Sequence, residues 1–316
     1  MALTLKNTFE TTFRSNYRFE DFLALSVEQA ASGTKLGNRD IIQPNAELKA
    51  YLRFLNRFIF SYADVVDEVV FSYKKEASPK QSLIKHCQSR CFYKTDIVRF
   101  FESITSDDVN NIFANKLTQS PIVDWYDYQT HLQNLVLVDG RLPIGFPSSP
   151  VISNSVLYEF DQVVLAWAQQ HDIIYTRYSD DLIFSAQNDE ALKSLPQRIE
   201  QWLNDFYGGR FKLNPYKSFF THTGEKVKLL GLVIQPNGHI SVSRSLKNKI
   251  EALLHYFIED QSVFEHLLAQ HFAANPVGLM SMLSWVQSVD QVYIEKLRKK
   301  YGNYTVDLFL HGAARL

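Results

Sequence analysis

Tyr178-Ser179-Asp180-Asp181 constrains this chain more than any other stretch. It stands between Ile173-Ile174-Tyr175-Thr176-Arg177 and Leu182-Ile183-Phe184-Ser185, two short runs of β-branched and aromatic residues. Such runs read as the strands of a hairpin, so two adjacent carboxylates fall at its turn. Glycine or asparagine beside a single aspartate would close the turn more easily. Neighbouring like charges raise each other's proton affinity unless a cation offsets them, and a hard divalent ion with oxygen ligands suits that task. Taken alone, the pair would be an ordinary polar turn. It has an upstream counterpart in Asp96, which ends the alternating run from Arg90 to Ile97.

The surrounding chain alternates helical and extended patterns without repeats or low-complexity tracts. Residues 46–72 carry helical apolar spacing, and the polar, Pro-broken segment Ser72–Lys80 reads as a loop. A helix is expected from Phe100 and another near Ser106-Asp107-Asp108, which offers capping side chains. Leu142 to Pro150 holds three prolines and a glycine and must be a shaped loop, with Pro150 opening the helix behind it. Ser148 and Ser149 lack the surroundings of a nucleophile and suit loop geometry and capping. A Leu- and Trp-rich helix is expected over Ala191–Tyr207, then a second hairpin, Val227–Ile234 with His239–Val242, closed by Pro236-Asn237-Gly238. Residues 245–316 read as helix throughout. The whole is an α+β layout with a helical appendage.

With 316 residues, 46% of them hydrophobic, the chain can bury a large core. Lys and Arg number 33 against 34 Asp and Glu, so a surface for nucleic acid must be local. One such segment exists: Arg210 to Lys249 holds eight basic residues and a single acid, Glu225. The two cysteines, Cys87 and Cys91, fit a reducing compartment, and with His86 they lack a fourth ligand for zinc. No segment approaches the roughly 20 apolar residues of a membrane span, so no membrane partner and a cytoplasmic, bacterial location are expected.

Two-ion nucleotidyl transfer requires carboxylates from separate strands to converge on one point, and Asp96 with Asp180-Asp181 can do so if their strands are neighbours. The motifs around them make the chemistry specific. Lys94 to Ile104 resembles motif A of reverse transcriptases, Leu142 to Asn154 motif B, and Tyr178 to Asp181 the YxDD box of motif C. Lys212 to Lys217 is similar to motif D and Leu229 to Leu232 to motif E. Order and spacing agree over roughly Phe58 to Lys300. The chain most resembles small bacterial reverse transcriptases, the retron enzymes and the defence-associated, abortive-infection-like group.

That resemblance implies a right-hand polymerase fold: N-terminal extension and fingers (1–90), a palm with an antiparallel sheet and part of the fingers (91–244), and a helical thumb (245–316). It implies Asp96 and Asp180 as main ligands of two Mg²⁺ ions (Mn²⁺ being an alternative), with Asp181 assisting and the Ile97 carbonyl completing the shell. Arg99, Phe100, Phe101, Gly145, Phe146 and Lys217 fall where the family meets the deoxynucleotide. Phe101 stands at the aromatic gate against a 2′-hydroxyl, and Lys217 at the motif D lysine. Lys74 and Lys75 are looser candidates for gripping the triphosphate. Lys228, Arg244, Lys247 and Lys249 are placed on template-primer phosphates. The implied activity is RNA-directed DNA synthesis on a dedicated, structured non-coding RNA that serves as template and as a candidate primer, yielding cDNA in antiphage defence. An effector or toxin protein and a second copy of the chain are further candidate partners.

Two departures stand out. Ile144 replaces a glutamine common in the family, which bears on nucleotide selectivity. Lys228-Leu229-Leu230-Gly231 replaces the Val-Thr-Gly signature of retrons and pulls the resemblance towards the defence group. Other readings remain at this level: untemplated or protein-primed DNA synthesis, RNA-directed RNA synthesis (disfavoured by Phe101), and a non-catalytic RNA-binding scaffold of a toxin system.

Overall fold

Extended runs become strands where one face can be buried, and turn residues cut them to length. A computed structural model of the protein describes residues 3–37, 39–272 and 276–312. In chain order its strands are Ala31–Leu36 (β1), Arg39–Pro44 (β2), Cys91–Asp96 (β3), Ile174–Tyr178 (β4), Asp181–Ala186 (β5), Phe219–His222 (β6), Val227–Leu229 (β7), Leu232–Ile234 (β8) and Ile240–Val242 (β9). They form a β1–β2 hairpin, a sheet of order β4-β5-β3-β6 and a three-stranded meander β7-β8-β9. Mixed helices and antiparallel sheets make this an α+β protein.

One compact unit comprises Met1–Ser78 and Cys91–Phe220. Its central sheet pairs β3 with β5 and β5 with β4, antiparallel throughout. Side chains alternate between faces, so one ring from each strand meets the next across the back of the sheet. Tyr175 stacks on Phe184 (4.7 Å between centroids), Phe184 on Tyr93 (6.2 Å) and Tyr93 on Phe220 (4.5 Å). The helix Tyr158–Gln170 packs against β4, and Phe160, Val164 and Ala168 are buried on it. Aromatic rings from the N-terminal helices, Phe9, Phe13 and Phe22, cluster with Tyr51 and Phe54 of the helix Ala46–Phe58. The helix Ser106–Asn115 opens with a capping box, Thr105 and Asp108 exchanging bonds.

The second compact unit comprises Pro79–Arg90 and Thr221–Leu316. The helix Pro79–His86 packs on β8 and β9, and the helix Pro276–Val289 also packs on β9. This unit joins the segment before β3 and the meander β7–β9 to the helices that follow them. Those helices are Arg244–Glu259, Gln261–Phe272, Pro276–Val289, Gln291–Tyr301 and Asn303–Gly312.

The expected strand Val227–Ile234 is instead two strands. Leu230 and Gly231 both adopt positive φ (50° and 79°), the requirement of a two-residue turn, and Leu229 pairs with Leu232 across it. The β1–β2 hairpin is not foreshadowed by sequence pattern. Ala31-Ser32-Gly33-Thr34-Lys35-Leu36 lacks the β-branched density that marks strands elsewhere in the chain.

Candidate active site

Asp96 lies opposite Asp181 in the β3–β5 pairing, and Tyr178 lies opposite Asp181 in the β4–β5 pairing. Ser179 and Asp180 are therefore the two loop residues of the β4–β5 hairpin. The Ile97 N–H donates to the Asp180 carbonyl at 3.2 Å, tying the end of β3 to the turn. On the other side of β3, Val98 N–H donates to Lys212 O and Asn214 N–H to Asp96 O. These two bonds flank Ile97 and leave its own carbonyl out of the bridge. They also carry Lys217 to Asp96, with which its Nζ ion-pairs.

Asp180 senses the other two acids. Burial raises the Asp180 carboxyl above the ordinary range, and the charges of Asp181 and Asp96 raise it further, against the pull of its own N–H and of Lys217. The hydrogen bond to Asp96 in turn raises Lys217. Asp96 is only 2% exposed, and its Oδ1 has no hydrogen-bond partner among the described residues. A buried carboxylate oxygen left without a partner is costly, and an oxygen-seeking cation fits it. Among the described residues no three His, Cys, Asp or Glu side chains are gathered as a ready-made metal cage. Two ammonium groups are drawn onto the carboxylates instead, Lys217 onto Asp96 and Lys94 onto Asp181.

A buried polar clasp fixes the turn from beneath. Ser179 has φ 59°, a region that favours glycine. Its N–H donates to Ser72 Oγ (2.8 Å), its Oγ accepts from the Tyr73 hydroxyl (3.2 Å), and its carbonyl accepts from Arg177 Nη1 (3.1 Å). Arg177 is fully buried and forks onto Asp161, also fully buried, with Nη2 at 2.6 Å and Nε at 3.0 Å from Oδ2. The Tyr175 hydroxyl adds a bond to Asp161 at 2.7 Å, and Arg177 Nη2 reaches the Asn154 carbonyl at 3.0 Å. Burial alone would lower the Arg177 pKa, but the Asp161 carboxylate holds it above its usual value. None of this was anticipated from sequence. The signal was an arginine inside an otherwise apolar strand, and an aspartate sharing a helix face with Val164 and Ala168.

The other residues expected at the site take varied places. Arg99 is exposed, with φ 47°, at the entry to the short helix Phe100–Ser103. The Phe100 ring is packed into the core against Phe211, and Phe101 lies half-buried beside it. Gly145 has φ 113°, and a Cβ there would strike the Ile42 carbonyl, while the Ile42 N–H donates to Ile144 O at 2.8 Å. The Phe146 ring is buried. Ser149 Oγ braces the loop by donating to Pro143 O at 2.6 Å, whereas the Ser148 side chain makes no cap bond. Lys74 ion-pairs with Asp67 and Lys75 is exposed.

Of the basic segment, Arg210 is held by Asp108 through two bonds of 2.7 and 2.9 Å. Lys228 and Arg244 are exposed. Lys249 sits over the Phe272 ring at 4.4 Å. Lys247 is engaged internally: its Nζ is 2.9 Å from Asp290 Oδ2 and over the Tyr293 ring. Asp290 also accepts from Ser241 (2.5 Å) and from the Tyr293 N–H (3.0 Å). Burial would raise its pKa, but the Ser241, Lys247 and Tyr293 bonds hold it down at about 2. A depressed carboxylate stabilises the fold above its unfolded pKa and loses that contribution as pH falls towards 2. Asp290→Asn should therefore lower thermal stability at pH 7, by roughly 2 kcal/mol, and flatten its decline between about pH 4 and 2. Melting curves across that range test it, and an unchanged acid limb would contradict it.

Acids from separate strands, meeting at a hairpin turn on an antiparallel sheet backed by helices, define a palm-type nucleic-acid polymerase. Residues 37–234 match the family described as reverse transcriptase (RNA-dependent DNA polymerase), and the chain belongs to that family. It is an RNA-directed DNA polymerase. It is 27% identical to the retron Ec83 reverse transcriptase of Escherichia coli, over 94% of this chain and 95% of that protein. With the retron Ec86 reverse transcriptase of the same organism it shares 28% identity over 84% of this chain and 78% of that one. The Candida tropicalis apo telomerase structure matches at a TM-score of 0.50 and 13% identity, covering 90% of this chain and 60% of the telomerase chain. That likeness is one of fold, and it agrees with a right-hand polymerase. The chain is similar to the retron Ec83, Ec73 and Ec86 reverse transcriptases despite the departure at Lys228–Gly231. No described helix is long and apolar enough to cross a membrane.

Proposed function

We propose that the protein copies a dedicated structured RNA into cDNA by two-metal nucleotidyl transfer, with Asp96 and Asp180 as the principal ligands and Asp181 beside them. The observation that carries this reading is the buried, unpartnered Oδ1 of Asp96, a residue that lies opposite Asp181 on the neighbouring strand and next to Ile97, which is bonded to the turn residue Asp180. Magnesium bound there would activate the primer hydroxyl and offset charge on the triphosphate and leaving group. The chain's own residues do the rest. The Ile97–Asp180 backbone bond and the clasp under Ser179 keep the carboxylates oriented, and the Ile97 carbonyl is free to join them. Lys217, half-exposed on the motif D loop, can release Asp96 and pair with phosphate or donate a proton to departing pyrophosphate.

Phe101 supports deoxynucleotide selection, its ring braced from behind by Phe100 at 5.7 Å between centroids. Phe101→Ala should raise the rNTP-to-dNTP ratio of kcat/KM by roughly tenfold or more, on the order of what a removed steric exclusion of one hydroxyl allows. An unchanged ratio would remove Phe101 from the gate.

A dedicated RNA is supported by the resemblance to retron reverse transcriptases. Exposed Lys228 and Arg244 are available for phosphate contacts, and Lys249 for one once it leaves the Phe272 ring. Sequencing the nucleic acid that copurifies with the protein tests the template. DNA complementary to a bound RNA is expected, and homopolymer or random DNA would instead indicate untemplated synthesis. A role in antiphage defence predicts that protection in infected cells disappears with Asp180→Ala; protection that persists would point to a scaffold.

A further inference from the structure

Lys94 is the ammonium group closest in sequence to the acids, and none of the expected roles falls on it. It stands two residues before Asp96 on β3, so strand alternation puts both on one face of the sheet. Its Nζ ion-pairs with Asp181, the residue across from Asp96. The two lysines at the site differ in build. Lys217 comes from a loop and its side chain is 52% exposed, whereas Lys94 rises from the strand itself and is 13% exposed. Lys217 can swing into solvent. Lys94 is anchored on β3, beside Ile183 of the neighbouring strand, and would leave a largely buried ammonium unpaired if Asp181 turned to another cation.

We propose that Lys94 is a positioning residue that holds Asp181 as a charge-balanced outer carboxylate and keeps the nucleotide-free site from binding divalent cation tightly. The inference rests on the two-metal reading above and extends it to the order of loading. Three carboxylates and two ammonium groups leave one net negative charge at the resting site. Filling it with divalent ions without further anions would accumulate positive charge beside a fixed Lys94. The negative charge of an incoming triphosphate relieves this, so firm loading of the site awaits the nucleotide.

The test is binding of Mn²⁺ to nucleotide-free protein, followed by the electron paramagnetic resonance of the free ion. Lys94→Met should tighten Mn²⁺ binding by about tenfold, as loss of a unit charge a few ångströms from a divalent ion implies. In steady-state synthesis the same variant should need less Mn²⁺ yet show a lower kcat, because Asp181 has lost its tether. Lys94→Arg keeps the charge and should bind Mn²⁺ as the parent does. Should Lys94→Met fold poorly, the charge-neutral pair Lys94→Met with Asp181→Asn removes the buried ammonium and its partner together. That double variant should return Mn²⁺ affinity to within about threefold of the parent, since opposite charges are lost at one place. Parental affinity in Lys94→Met, or an arginine variant that behaves like methionine, overturns the inference. If Mn²⁺ binding depends on Asp96 and Asp180 but not on Lys94, this inference alone fails. If it is indifferent to Asp96 and Asp180, the two-metal reading fails with it.

Discussion

Asp180→Asn is expected to reduce cDNA synthesis by at least about a thousandfold, a loss of roughly 4 kcal/mol of transition-state stabilisation. Asparagine keeps the shape of the side chain but cannot supply the charge that a divalent ion requires. The same substitution should not weaken the fold. Burial and two neighbouring carboxylates raise the Asp180 pKa, so its ionised form is disfavoured in the folded protein relative to the unfolded chain. A carboxylate with a raised pKa stabilises only below its unfolded pKa, and that contribution is lost as pH rises through the folded one. At pH 7 the charge is a net cost, and Asp180→Asn measured in EDTA should melt at or above the parent temperature. Activity within about tenfold of the parent would remove Asp180 from the site. A lower melting temperature with no activity would leave unfolding as the cause of the loss, contrary to the electrostatic account.

The second large effect concerns stability. Asp161→Ala should lower the free energy of unfolding by about 3–5 kcal/mol, because it leaves the Arg177 guanidinium buried without its counter-charge. Removing both charges, as Arg177→Met with Asp161→Leu, should cost less than that single change, since no uncompensated ion remains. The double variant should still synthesise DNA poorly. Without Arg177 the Ser179 carbonyl loses its donor, and Ser179, the turn residue before Asp180, keeps two of the three bonds that clasp it. Denaturant titration and primer extension on the two variants separate these effects. A double variant with full activity would show that the remaining bonds from Ser72 and Tyr73 suffice.

Much of the central sheet was legible in the sequence. The β4–β5 hairpin, the strand ending at Asp96 and the Pro-rich loop before the helix Ser149–Val156 all lie where local pattern and turn chemistry put them. The meeting of Asp96 with Asp181 was not legible from local pattern, because their pairing spans 85 positions (181 − 96) and depends on sheet register. Motif order supplied that link. Charged residues were read least well. Lys247 and Arg210 look like free cations in a basic run, yet buried or half-buried carboxylates 43 and 102 positions away claim them, Asp290 and Asp108. Arg177 looked like the end of an apolar strand and is instead the centre of the clasp. Periodicity reports which face a residue occupies, but not which distant side chain shares that face.

The joint between the Pro-rich loop and β2 has a practical side for altering substrate preference. At position 144 the link to Ile42 is made by the main chain, so the side chain can change without disturbing it. One position later there is no such freedom, since any carbon added to Gly145 collides with backbone. Mutant libraries aimed at the base or sugar tolerated by this enzyme should diversify residue 144 and leave its neighbour alone.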